Sequence, residues 1–222
     1  MLKCPFCGSA WHRTRFCADC GKDLSNYSYA EAKNAADAIA DALRIFEVEK
    51  LPSGNYKVLR LKAEYENTVT NLVIPDCVEE IEKNAFRYMP QSSGWGAARG
   101  PKYLTGVEIG NGVRIIGENA FDGCKDLMSV KLGSGLQFIE PMAFANCHAL
   151  QEVTIPKNVI KVGQAAFYGC RRLKRLTIEK GVKIVAQRAF SGCALKIVVV
   201  PAGMIYESDS FGNKRMLIKR LW

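Results

Sequence analysis

Four of the nine cysteines in this 222-residue sequence form two C-x-x-C-G pairs near the N-terminus. These four residues are Cys4, Cys7, Cys17 and Cys20. Four thiolates at this spacing suit a tetrahedral Zn²⁺ ion, whose Zn–S bonds are about 2.3 Å long. Gly8 and Gly21 follow the two pairs, where a small residue lets backbone N–H groups approach the sulfur atoms. We therefore predict a structural zinc site, because four protein ligands fill the coordination shell.

The elements that hold these cysteines must be short. A segment of about 24 residues cannot fold around a hydrophobic core, so the metal would drive its folding. A redox C-x-x-C site is the alternative, but it needs only one pair and a thioredoxin-like context. The segment 3–24 resembles the short zinc ribbons at the N-termini of many bacterial proteins. That resemblance implies Zn²⁺ as a structural cofactor with no open position for catalysis.

Four other cysteines recur every 23 residues, each at the end of an Ala-Phe phrase. The phrases are AFDGC ending at Cys124, AFANC at Cys147, AFYGC at Cys170 and AFSGC at Cys193. A stretch of alternating apolar residues follows each phrase, and an apolar pair such as Val159 and Val162 precedes the next one. A fixed period of this length indicates a solenoid, because stacked units bury an apolar side that one unit cannot bury alone.

Stacking predicts one buried column of phenylalanines and another of cysteines, with neighbouring strands about 4.8 Å apart. Cys147 is then a small apolar residue in a ladder, since free cysteine is among the most buried residue types. Stacked Cα atoms at about 5 Å would also allow disulfides. A reducing compartment and the lack of a unique partner favour free thiols. A nucleophile would not need four copies, and His148 lies beside only one of them.

The repeated phrase resembles the BspA-like leucine-rich repeat, approximately I-x-x-x-A-F-x-x-C-x-x-L-x-x-V-x-I-P, over residues 72–213. The resemblance implies a β-rich α+β protein built on a right-handed, curved leucine-rich-repeat solenoid of about five to six units. It also implies a role in protein recognition, because the best-known members are bacterial surface proteins that bind other proteins.

The segment before the repeats predicts an N-terminal cap made of a helix and a hairpin. Ser28 and Glu31 fit a capping box, and apolar residues at helical spacing predict one amphipathic helix from Tyr29 to Phe46. Strands are predicted within 56–65 and 68–75. The domains we expect are a zinc ribbon at 1–25, the cap at 26–71, the solenoid at 72–213 and a basic tail at 214–222.

Two irregularities interrupt the array. Phe86 and Phe121 are separated by one period plus 12 residues, and the insertion carries Trp95 and Arg99. A tryptophan on such a loop either anchors a partner or folds back onto the solenoid. The last unit loses its cysteine, as terminal capping units often do.

The composition excludes several classes of protein. With 48% hydrophobic and 24% charged residues, the chain has an ordinary soluble composition, and no apolar run approaches the roughly 18 residues of a membrane span. The N-terminus lacks the apolar core of a secretory signal, so we expect a cytoplasmic protein. The net charge is +9, and the residues from Arg171 onward hold 12 Lys or Arg against 3 Asp or Glu. This excess either attracts acidic partners or is only a solvated surface.

No nucleotide-binding loop, Ser-His-Asp or Cys-His arrangement is apparent, so we predict a non-catalytic protein. The first hypothesis is a module whose outward strand residues bind a protein partner; the sequence leaves its oligomeric state open. The alternative is an accessory subunit that binds nucleic acid through the basic C-terminal half and the zinc ribbon. The candidate partner-binding residues are Trp95, Arg99, Lys131, Arg171, Arg172, Lys174, Arg175, Lys183 and Arg188.

Overall fold

The computed structural model describes residues 39–88 and 100–212, together with the backbone of residues 2–3, 10–11 and 217–220. A short helix covers 39–43 and a 3₁₀ helix covers Ala63–Tyr65. The early strands are β1 (Leu2–Lys3), β2 (Ala10–Trp11), β3 (Phe46–Lys50), β4 (Tyr56–Leu61), β5 (Asn71–Ile74), β6 (Val78–Ile81), β7 (Gly106–Ile109) and β8 (Ile115–Ile116). The later strands are β9 (Ser129–Lys131), β10 (Phe138–Ile139), β11 (Glu152–Ile155), β12 (Lys161–Val162), β13 (Arg175–Ile178), β14 (Ile184–Val185), β15 (Ile197–Val200), β16 (Ile205–Tyr206) and β17 (Leu217–Arg220).

The strands alternate between two parallel sheets, so the chain makes one solenoid turn per repeat. The longer strands form a five-stranded sheet in the order β13-β11-β9-β7-β5. The shorter strands form a second sheet in the order β16-β14-β12-β10-β8-β6, which β4 and β3 extend at its N-terminal end. A β-solenoid of about six turns is the architecture that the 23-residue period predicts.

The predicted phenylalanine column is confirmed. Six rings stack along the core with centroids 4.9 to 5.7 Å apart and interplanar angles of 2° to 19°. The column consists of Phe86, Phe121, Phe144, Phe167, Phe190 and Phe211. Backbone bonds hold the same corner, as where the Phe121 N–H donates to the Ala143 carbonyl at 2.7 Å. Ring stacking and backbone pairing therefore fix each turn against the next.

Five of these six corners hold one residue in the left-handed backbone region. The residue two positions before the phenylalanine has φ between 54° and 61° in five successive turns. These residues are Asn84, Asn119, Met142, Ala165 and Arg188. Asparagine tolerates this conformation, whereas other residues with a Cβ are strained in it. The corner is thus set by the stacked backbone and not by the local residue type.

The cysteine column is confirmed as well, and the described cysteines are free thiols. Cys124, Cys147 and Cys170 are buried. The Cys147 Sγ donates to the Phe121 carbonyl of the preceding turn at 3.4 Å, and the other three repeat cysteines do the same at 3.3 Å. Burial raises the pKa of the Cys124 thiol well above the ordinary value, and it also raises the pKa of the Cys147 thiol. The cysteines therefore link each turn to the preceding one by a hydrogen bond. Because their thiols stay protonated, they are poor nucleophiles.

The predicted helix is wrong at its C-terminal end. The chain is helical over 39–43, turns, and enters β3 at Phe46, which was assigned to the helix. Phe46 and Val48 alternate in β3, and Val48 lies opposite Val58 of β4 in an antiparallel pair. Pairing with β4 outweighs the helical spacing of Phe46. The strand predicted within 56–65 is β4, but it pairs with β3, and the strand predicted within 68–75 is β5, which belongs to the longer-strand sheet of the solenoid. Residues 29–38 of the predicted helix lie outside the described part of the chain.

A seam divides the C-terminal end of the longer-strand sheet. Two residues lie between Cys170 and Leu173 along the chain, but only one lies between Cys193 and Leu195. Among the described residues no backbone hydrogen bond joins β13 to β15, which pairs instead with β17. The shorter-strand sheet continues past this point, with Ile184 opposite Ile205. The shorter spacing thus coincides with a break in the pairing of the longer strands, whereas the pairing of the shorter strands is continuous.

Candidate functional site

The outward face of the five-stranded sheet presents aligned columns of side chains. Residues two apart on a strand share a face, and parallel pairing places like positions side by side. Val73 lies opposite Glu108, Glu108 opposite Lys131, and Thr154 opposite Thr177. We call these residues, with their outward neighbours Ser129, Glu152 and Arg175, the outer face. The described outward positions are exposed, as the alternation predicts.

The charges of the outer face are paired between turns. The Lys131 ammonium contacts the Glu108 carboxylate, and the Arg175 guanidinium lies 2.6 Å from the Glu152 carboxylate. In both pairs the two partners are 23 residues apart. Exposed pairs of this kind contribute about 0–1 kcal/mol. A partner can therefore open them and use either charge at little cost.

Two clefts and one exposed apolar side chain also lie on this face. One cleft, of about 300 Å³, lies beside Thr154 and Thr177; the other, of about 280 Å³, lies beside Val73 and Glu108. Val73 is 59% exposed. Val73 is not among the residues predicted from the sequence, although its alternation in 71–74 places it in the same column. An apolar side chain among weakly paired charges is suited to contact with a protein surface.

The structure separates the predicted basic residues into different environments. Lys131 and Arg175 belong to the outer face and are paired there. Arg188 lies at a corner, 3.5 Å from the Asp209 carboxylate. Lys183 precedes β14 on the side of the shorter-strand sheet. The remaining three, Arg171, Arg172 and Lys174, lie together in the exposed segment between the cysteine column and β13.

The family is shown by residues 100–217, which match a model of the BspA type leucine rich repeat region in six copies. The chain belongs to the BspA-type leucine-rich repeat family. The same fold recurs in several proteins of known structure. The pneumococcal vaccine antigen PcpA is 21% identical with a TM-score of 0.59, over 79% of this chain and 46% of that one. A leucine-rich repeat protein of T. pallidum is 20% identical with a TM-score of 0.53, over 80% and 84%.

A third similar structure is a leucine-rich repeat protein from Bacteroides capillosus, 28% identical with a TM-score of 0.50 over 61% of this chain and 94% of that one. This BspA-type chain spans about half the length of the pneumococcal protein that it matches. No curated protein matches its sequence. In the described part of the chain, no helix has the length and apolar character needed to traverse a bilayer.

A further cleft of this BspA-type solenoid is lined by residues that hold neighbouring turns together. It measures about 870 Å³ and follows the turns between the two sheets. Its polar residues hold neighbouring turns together: the Asn111 N–H donates to the Asp76 carboxylate at 2.6 Å, and the Asn158 amide donates to the Ser134 carbonyl at 2.7 Å. Because these groups already satisfy one another, we do not assign this cleft a binding role.

The predicted zinc ligands, and with them Trp95 and Arg99, lie outside the described residues. Backbone pairing is described on either side of the first cysteine pair: β1 and β2 are antiparallel, with Lys3 opposite Ala10. Among the described residues no group of three or more His, Cys, Asp or Glu side chains is arranged to hold a metal ion.

Proposed function

We propose that this BspA-type chain is a non-catalytic scaffold that binds a protein partner through its outer face. The observation that carries the proposal is the face itself, an exposed sheet surface of fixed register that combines an exposed valine and two threonines with weakly paired charges. Stacked phenylalanines behind the sheet make that surface stiff, so little ordering accompanies binding.

The experiment is affinity capture from the native host with the full chain and two matched variants. The face variant carries Lys131→Glu, Thr154→Arg and Thr177→Arg. The control carries Lys161→Glu, Gln164→Arg and Gln187→Arg, the same net charge change at exposed positions away from the outer face. We expect equal melting temperatures for both variants and loss of the partner only from the face variant. Capture of the same partner by the face variant would refute the proposal.

We also propose a structural zinc ion held by Cys4, Cys7, Cys17 and Cys20. The C-x-x-C spacing supports it, as does the antiparallel β1–β2 pair that brackets the first cysteine pair. One zinc per chain by elemental analysis, and its loss in a variant with Cys4→Ser and Cys17→Ser, would agree with this assignment. Zinc-free protein purified without chelator would contradict it.

The free thiols of the repeat cysteines support a reducing, cytoplasmic location.

A further inference from the structure

A line of basic side chains runs along one edge of the solenoid, between the cysteine column and the five-stranded sheet. We call it the basic ridge. It consists of Lys125, His148, Arg171, Arg172, Lys174 and Lys196. Its five Lys and Arg residues are exposed, and His148 is half-buried. It contains Arg171, Arg172 and Lys174. These three predicted basic residues lie neither on the outer face, nor at a corner, nor beside the shorter-strand sheet.

Backbone bonds place three of the ridge segments, at 125, 148–151 and 171–174, in neighbouring turns. The Ala149 N–H donates to the Lys125 carbonyl at 3.0 Å, and the Lys174 N–H donates to the Gln151 carbonyl at 3.0 Å. Lys125, His148 and Arg171 each follow a cysteine directly and so hold the same place in successive turns. The pKa of His148 is lowered by burial and by the neighbouring charges of Arg171 and Lys125, which agrees with this placement.

Many basic residues in the described part of the chain form ion pairs, but those of the ridge do not, and neither do a few other lysines such as Lys157, Lys161 and Lys180. Elsewhere among the described residues, eight Lys or Arg side chains have a carboxylate within 4.0 Å, and Arg44 adds a local pair. None of the described residues forms such a pair with a ridge side chain. In segments 125–128, 148–151, 171–174 and 194–196, Asp126 is the one carboxylate against five Lys or Arg.

We propose that the basic ridge binds an acidic, extended segment of a protein partner. Unpaired cations in adjacent turns repel one another, and a row of carboxylates would relieve that repulsion. A protein segment is favoured over nucleic acid because the four ridge segments contain no Phe, Tyr or Trp on which bases could stack. Met128, which is 48% exposed, offers an apolar contact between the charges.

This inference rests on the proposed protein-binding function and deepens it by naming the partner's chemistry. Lys174 directly precedes Arg175 of the outer face, so one partner can lie across the face and place an acidic segment on the ridge. The ridge and the face are nevertheless separate sets of residues. They can be altered one at a time, and the failure of one does not decide the other.

The test uses the full chain and two fluorescent probes, a ten-residue glutamate peptide and a ten-nucleotide oligothymidine, followed by anisotropy. The ridge variant carries Arg171→Glu, Arg172→Glu and Lys174→Glu. The matched control carries Lys157→Glu, Lys161→Glu and Lys180→Glu, which change the net charge equally at exposed positions elsewhere. We expect the ridge variant to lose about tenfold or more in peptide affinity and the control to lose little. A milder variant, Arg171→Gln with Lys174→Gln, should show a smaller loss in the same direction.

Three results would overturn the inference. Equal losses in the ridge and control variants would mean that the peptide responds only to net charge. Tighter binding of oligothymidine than of the peptide, lost in the ridge variant, would assign the ridge to nucleic acid. The face variant separates this inference from the proposed function: it should keep the peptide while losing the captured partner. If the ridge variant still captured the partner and the unsubstituted chain did not bind the glutamate peptide, the inference about the basic ridge would be refuted. The proposed function of the outer face would stand.

Discussion

The left-handed corner residue makes a direct test of how the solenoid is held together. In five turns this residue has φ near +55° to +61°, but only two of the five are asparagine. Ala165 has φ 54° and donates its N–H to the Gln187 carbonyl at 3.0 Å. Replacing Ala165 with asparagine should keep this geometry and reduce its strain, so we expect Ala165→Asn to stabilise the protein.

The magnitude follows from the cost of the left-handed region. An ordinary L-residue is less stable there by about 1–2 kcal/mol, and asparagine recovers part of this through local hydrogen bonding. We therefore expect the free energy of unfolding to rise by about 0.5–1 kcal/mol, or about 1–4 °C in melting temperature for a domain of this size. The side chain has room, because Asn119 occupies the same position two turns earlier and is 7% exposed.

The assay is unfolding by guanidinium chloride at fixed pH, with Ala165→Gln as the matched control. Glutamine carries the same amide on a longer stem but lacks the local hydrogen bond that favours the left-handed region, so it should not stabilise. The reverse change, Asn119→Ala, should lower the free energy of unfolding by a similar amount. If Ala165→Gln stabilised as much as Ala165→Asn, or if neither had an effect, corner strain would not be the cause.

Three further predictions concern the columns and the seam. Phe144→Ala should cost about 3–5 kcal/mol in denaturant unfolding and more than Phe211→Ala, because Phe144 stacks on rings at both sides; equal costs would contradict the column. Burial raises the pKa of Cys147 in the folded chain. The unfolded state therefore ionises first, and stability should fall above about pH 9 by up to about 1.4 kcal/mol per pH unit for this thiol. Denaturant unfolding at pH 8 to 10 should show a weaker fall in Cys147→Ala, and parallel slopes would refute the effect. Amide protons in β15 should exchange with solvent faster than those in β11, since no backbone bond joins β13 to β15; equal protection would argue against the seam.

The columns were predictable because the repeat period converts position in sequence into position in space. Phe144 and Cys147 each have a counterpart one period away, so their stacking follows from the period alone. The left-handed corner was not predictable in this way. Its five residues share no chemistry, and the backbone pairing of stacked turns sets their conformation against the preference of Met142, Ala165 and Arg188.

The helix and the seam show two other limits of sequence reasoning. Phe46 fits both a helical spacing and an alternation with Val48, and only its pairing with β4 decides between them. The residue missing after Cys193 is visible in the sequence as a shorter spacing. Its effect is confined to one sheet, however, and a one-dimensional pattern cannot show which side of a turn will absorb a deletion.

The charges extend the same rule from the core to the surface. In a solenoid, residues one period apart are neighbours, so a carboxylate 23 residues before a basic residue predicts an ion pair. Glu108 with Lys131, and Glu152 with Arg175, obey this rule. Arg171 does not, because the residue 23 positions before it is His148 and the one before that is Lys125. A count of basic residues alone treats Arg175 and Arg171 alike. The repeat period distinguishes them, because Arg175 has a carboxylate one period earlier that neutralises its charge, whereas Arg171 does not and can pair with a partner.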